Sequence, residues 1–167
     1  MLLAMPFDAA AQHDHAHAGA APLAAPGHAI FGAVQEVIEK AEADPSVDWA
    51  SVDLERLRRH LIDMHRAAME VEVVYQHVLE DGVLLRVMPE NDAARASLAR
   101  MLRMHPAQLE RETGWTMTVE PGDDYFDLRV TTPNPDEVTK IRALGYIGLL
   151  AYGAHHRHHH WMIATGQ

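Results

Sequence analysis

Apolar side chains first recur with a helical period at Ile30, Val34, Val37, Ile38 and Ala41, and Asp44-Pro45 stops the run. The spacing predicts a helix between His28 and Asp44, followed by a loop from Ser46 to Ser51 with Trp49 as its anchor. Leu54, Leu57, Leu61, Met64 and Ala68 then form a three-four stripe that predicts a second helix. From Val73 to Met88 the pattern changes to alternation around Asp81-Gly82, a dipeptide suited to the positive φ values of a two-residue hairpin turn. Asn91 or Asp92 caps a third helix with Ala94, Leu98, Met101, Leu102, His105 and Leu109 on its apolar face, and Pro106 should bend or end it. Trp115, Met117 and Val119 alternate, Pro121-Gly122-Asp123-Asp124 turns, and Phe126, Leu128 and Val130 alternate back as a second hairpin.

Asn134-Pro135-Asp136-Glu137 is a helix start: a capping side chain, proline in the first turn, then acids at the positive end of the dipole. Because Ile141 to Ala154 is apolar on most sides, a long C-terminal core helix is expected from there towards Ile163, with Gly145 and Gly148 allowing close approach. The predicted fold class is α+β. Two αββ units would give a four-stranded antiparallel sheet packed by helices, its other face solvated or covered in a possible homodimer. The domain division that follows is a single α+β metal-binding domain over 28–167, preceded by a tail over 1–27.

Composition narrows what this domain can do. The chain has 167 residues, enough for one core, and a formal net charge of −10, which argues against nucleic acid as a partner. No stretch has the ~18 apolar residues of a membrane helix, so the chain is read as not membrane-spanning. Cysteine is absent, which removes disulfides and thiolate ligands. Met1 to Gln12 reads as a signal peptide remnant, a short apolar run ending in Ala9-x-Ala11, and predicts a periplasmic or secreted protein. The rest of the tail, with His13, His15 and His17 on alternate positions, reads as a flexible segment that could capture a cation.

Histidine is the unusual residue: 13 in all, five of them between His155 and His160. Arg157 interrupts that run and Trp161-Met162-Ile163-Ala164 continues an apolar pattern past it, unlike an appended tag. On one continuous helix, at roughly 100° per residue, His155, His156 and His159 share a face while His158 and His160 point away. Residues three or four apart can ligate one ion from the same side. Further ligands could come from His60 and His65, on opposite borders of the second helix, and from His105 on the third. Met64 and Met162 are the methionines most apt to join them. Imidazole with thioether favours copper, especially Cu(I), whereas imidazole by itself serves zinc, nickel or Cu(II) equally.

Each of these residues has a plainer reading. A histidine on an apolar stripe, such as His105, is more often a core residue satisfied by a backbone carbonyl. His60 and His65 could be polar boundary residues, and stripe methionines usually fill core. Asp63 could orient a ligand of its own helix, although it projects outward from the stripe. A solvated run of five histidines has no comparable structural rationale. The chain lacks a glycine-rich phosphate loop, a Gly-x-Ser-x-Gly elbow and a His-Glu-x-x-His motif.

Gly145-Tyr146-Ile147-Gly148 through His155-His156, His159-His160 and Met162-Ile163, with His60-Leu61-Ile62-Asp63-Met64 and His105, resembles a family of uncharacterised secreted bacterial proteins rich in His and Met. The resemblance covers residues 48–165 and implies export and one functional unit, with no activity attached. His-His followed by Met-Ile is also similar to a ferritin-like secreted family implicated in copper handling, from whose all-helical fold the two hairpins depart. The expected function is therefore copper buffering, transport or sequestration through a His/Met site. Two alternatives use the same histidines: a small metalloenzyme or haem-binding oxidoreductase, and a module whose histidines sense pH. Zinc, nickel and iron are the other metals to be weighed.

Overall fold

The computed structural model describes residues 29–153 and 155–166, without the side chains at 155–157. The tail and signal remnant expected over 1–27 lie outside these residues. The elements in order are α1 (Ala29–Ala43), a 3-10 turn (Trp49–Ser51), α2 (Leu54–Met69), β1 (Val71–Leu79), β2 (Gly82–Pro89), α3 (Asp92–Thr113), β3 (Thr116–Pro121), β4 (Phe126–Thr131), α4 (Pro135–Ala151) and α5 (His155–Thr165). The four strands form one antiparallel sheet in the order β1-β2-β4-β3. Each αββ unit contributes a hairpin, and the hairpins join through β2 and β4, so the fold is α+β as expected.

Local chemistry explains the helix starts. Asp53, Asn91 and Asn134 each accept a hydrogen bond from a backbone N–H in the first turn of α2, α3 and α4, at Arg56, Ala94 and Asp136. α3 continues past Pro106 to Gly114, whose φ of 74° ends it with a left-handed cap. Trp49, expected to anchor its loop, is instead half-exposed, and Asp48 caps the short turn through Ala50 N–H.

The first hairpin turns one residue earlier than expected. Glu80 and Asp81 form the turn, Leu79 pairs with Gly82, and no described residue other than glycine has a positive φ. Gly82 already belongs to β2, flanked by β1 and β4, and a Cβ there would lie 1.9 Å from the Val130 carbonyl oxygen. Glycine is needed for close approach of two strands and has no positive-φ role in the turn.

The long C-terminal helix is not one helix. α4 ends at Ala151, Tyr152 is extended and Gly153 has φ 111°. Gly145 interrupts α4 itself, at φ 55° and ψ −162°. Nothing would lie within 4 Å of a Cβ at Gly145, and the three atoms nearest a Cβ at Gly148 all belong to its own helix neighbour Leu144. Gly145 therefore accommodates no packing partner and supplies instead a backbone bend that L side chains rarely adopt.

The break divides the apolar interior into two clusters. The larger one packs the inner face of the sheet, including Val83, Leu85, Val87, Leu128 and Val130, against α3 and α4. The smaller joins α1, α2 and α5 through Val37, Ala41, Leu57, Leu61, Trp161 and Ala164. α2 contributes to both, with Ala67 in the first and Leu57 and Leu61 in the second. Lys40 lies 4.2 Å over the Trp161 ring, and Asp53 N–H donates to the Ala164 carbonyl at 2.7 Å. α5 is thus folded back along α2 and not extended away from the sheet.

Candidate metal centre

The seam between α2 and α5 brings three imidazoles and a thioether together. The His60 ring lies 4.7 Å from that of His159 and 5.5 Å from that of His160, both edge to face. His160 Nε2 is 3.3 Å from Met64 Sδ, and all four residues are half-buried. His60 and Met64 are four apart on α2, so they project from one face one turn apart. Among the described residues, no group of three or more His, Asp or Glu side chains is arranged to hold a metal ion. A site built from described groups at this seam therefore has to use the methionine sulfur.

On its other side α5 faces α1 across a groove of about 340 Å³, lined by Glu36, Lys40, His158, His160 and Trp161 among others. His160 borders this groove and also contacts Met64, so solvent in the groove reaches the edge of the imidazole cluster. α5 packs near its middle against Leu57 and Leu61, which leaves the residues just before Trp161 to turn towards His60 or towards α1.

The remaining candidates are placed elsewhere or beyond description. His105 is 3 % exposed and its Nε2 lies 2.9 Å from the Leu149 carbonyl oxygen, which places it on the α3–α4 seam in the manner of a core histidine. His65 is exposed on α2, and Met162 is half-buried on α5. His155 and His156 begin α5, but their side chains lie outside the described residues. His160 is the residue the projection missed: one unbroken helix turned it away from the cluster, whereas a new helix starting after Gly153 turns it in. The glycine preceding the histidines was the available signal.

Asp63 also departs from expectation, because it reaches α3 instead of solvent. Its carboxylate takes Arg100 in a two-pronged ion pair at 2.6 and 2.8 Å and accepts the buried Ser97 hydroxyl at 2.7 Å. The Arg100 hydrogen bond, with that of Ser97, holds the acid below its usual 3.8 against the opposing effect of burial. Since the folded value is depressed, the stabilisation is complete above about pH 4 and is lost as pH falls through the folded value. Asp63→Asn should cost about 1–2 kcal/mol at pH 7, modest because Arg100 remains half-exposed to water. Urea titrations at pH 7 and pH 3 check this: the difference between variant and parent should shrink at the lower pH.

The chain matches no family model, no curated protein and no solved structure.

Proposed function

We propose that this protein binds a soft transition-metal ion, copper first, at the α2–α5 seam and buffers, carries or sequesters it. His160 and Met64 anchor the donor set, and one of the neighbouring imidazoles, His60 or His159, completes it. The observation that carries the reading is the 3.3 Å between His160 Nε2 and Met64 Sδ. Two donors held at ~2.0 and ~2.3 Å from one tetrahedral ion stand on the order of 3.5 Å apart, so nitrogen and sulfur already have nearly the separation of ligands. Thioether with imidazole selects Cu(I) over zinc, because polarisable sulfur suits the softer ion. Export to the periplasm or beyond, read from the first residues, belongs to the same proposal.

Protein purified without a nickel column and loaded anaerobically with Cu(I) should compete with a colorimetric chelator for one ion at this seam. Met64→Leu should weaken Cu(I) by at least about tenfold, or ~1.4 kcal/mol, while changing Zn(II) affinity far less. His60→Ala with His160→Ala should remove the site. Unchanged Cu(I) affinity and stoichiometry in the double variant would leave the terminal histidines as a surface patch and end the proposal. In the absence of an ion, the His160 contact is a weak hydrogen bond from an imidazole N–H to sulfur, which predicts no metal preference at all.

A further inference from the structure

The two edges of the sheet are finished differently. β3 keeps polar Thr116, Thr118 and Glu120 outward, buries Met117 inward, and ends in Pro121. Charge and proline at an edge discourage the addition of another strand. β1 has neither protection along most of its nine residues: Val71-Glu72-Val73-Val74-Tyr75-Gln76-His77-Val78-Leu79 carries one charge, near its start. Residues 72–78 are exposed throughout, including Val73 at 40 %, Val74 at 43 %, Tyr75 at 49 % and Val78 at 56 %.

Register explains why these side chains are bare. Val73, Gln76 and Val78 pair with Val87, Leu85 and Val83, which are fully buried on the inner face of β2. The same face of β1 therefore continues the apolar layer of β2 beyond the cover that α3 and α4 provide. Among the described residues no strand pairs with the outer edge of β1, whose backbone donors and acceptors lie in the plane of the sheet.

We propose that β1 pairs with β1 of a second copy of this chain, antiparallel about a two-fold axis at His77, to give one continuous eight-stranded sheet. Three observations select a second copy. The chain carries a net charge of −10, so two copies approach most easily at a neutral stretch, and Tyr75 to Leu79 contains no charged residue. The irregularity in the β1–β2 register lies between Val73 and Tyr75, which leaves Tyr75 to Leu79 regular and free to form a ladder.

The third observation is self-complementarity of faces and charge. With the axis at His77, Tyr75 stands opposite Leu79 of the second copy on the outer face and Gln76 opposite Val78 of the second copy on the inner face. Every pair then points to one side of the sheet, as antiparallel neighbours must. An axis one residue earlier, at Gln76, would set Glu72 opposite the second copy's Glu80, two like charges; the His77 axis moves them apart. A specific interface has to remove on the order of 1,000 Å² in total from water, so the exposed Val73, Val74, Tyr75 and Val78 side chains must be covered together with the paired backbone.

The test uses the absence of cysteine from the chain. Opposed residues of an antiparallel pair have Cα atoms ~4.5–5.5 Å apart, within the range a disulfide spans. Full-length His77→Cys should therefore cross-link to a covalent dimer under mild oxidation, whereas Thr118→Cys on β3 should form no covalent dimer under the same conditions. Sedimentation equilibrium of the parent should give a dimer at micromolar concentration, and Val78→Lys should shift it at least tenfold towards monomer with an unchanged circular dichroism spectrum. A parent that is monomeric at 100 times that concentration, a dimer indifferent to Val78→Lys, or equal cross-linking through positions 77 and 118 would overturn the proposal. None of these readouts depends on metal, so the proposal stands or falls independently of the α2–α5 site.

Discussion

Trp115→Ala should lower the unfolding free energy by about 4 kcal/mol, most of the stability of a domain at the lower end of the ordinary range. Trp115 is fully buried and immediately follows the left-handed Gly114 that ends α3. Its indole N–H donates to Glu137 Oε2 at 2.7 Å in the first turn of α4, and its ring stacks on Tyr152 at 4.9 Å, just past the end of that helix. Lys140 reaches both rings and donates to the Tyr152 hydroxyl. One side chain therefore ties the end of α3 to both ends of α4, and truncation removes the packing as well as the partner of a carboxylate. Trp115→Phe separates the two effects: it keeps most of the ring and should cost about 1–2 kcal/mol through the lost charge-assisted hydrogen bond. Urea unfolding followed by circular dichroism measures both. An alanine variant within 1 kcal/mol of the parent would show that the cavity collapses or that the indole does not bridge these elements.

Much of this architecture was readable because local chemistry and tertiary packing agree. β4 buries Phe126, Leu128 and Val130 and leaves the alternate positions towards water, so period two survives from sequence to structure. The capping residues Asn91 and Asn134 act as their side chains require. The α4–α5 break was not readable in the same way. Ile141 to Ala154 is apolar on most sides, and a hydrophobic run that satisfies every helical position gives no sign of where the helix stops. Gly153 at φ 111° decides it, and a single glycine is only a weak stop signal, since a helix can continue through one at a cost of about 1 kcal/mol.

That one angle also sets which way the histidines of α5 turn. A histidine on α2 and histidines on the last helix do meet: the rings of His159 and His160 lie beside that of His60. A projection keeps its meaning only while the helix is continuous. Asp63 failed for a related reason: on the stripe of α2 considered separately it points outward, yet outward from that stripe is where α3 brings Arg100 and Ser97. β1 shows the limit of alternation itself, since a strand pattern identifies a pleated segment without saying whether a helix will cover its inner face.

Gly82→Ala should destabilise the protein by about 3 kcal/mol, an unusually large effect for a single added methyl group. The Cβ would meet the Val130 carbonyl oxygen at 1.9 Å and the Thr131 Cα at 2.9 Å, both backbone atoms of β4, so no side-chain rotation can relieve the contact. β2 would have to move away from β4, and Val83, which pairs with Val130 and is fully buried, would move with it. Thr132 N–H, which donates to the Asp81 carbonyl at 3.0 Å beside this point, would lose its partner as the strands part. If the residue were glycine for the sake of a positive-φ hairpin turn, Gly82→Asn should be tolerated better than Gly82→Ala, because asparagine accepts left-handed conformations. Close approach predicts the reverse, with the larger side chain at least as damaging. Comparing the two variants by urea unfolding distinguishes the explanations, and a stable Gly82→Asn protein would place the residue back in the turn. Hydrogen exchange should locate the loss at the β2–β4 ladder, where the two hairpins become one sheet, before it reaches the α2–α5 seam, whose apolar cluster contains no strand residue.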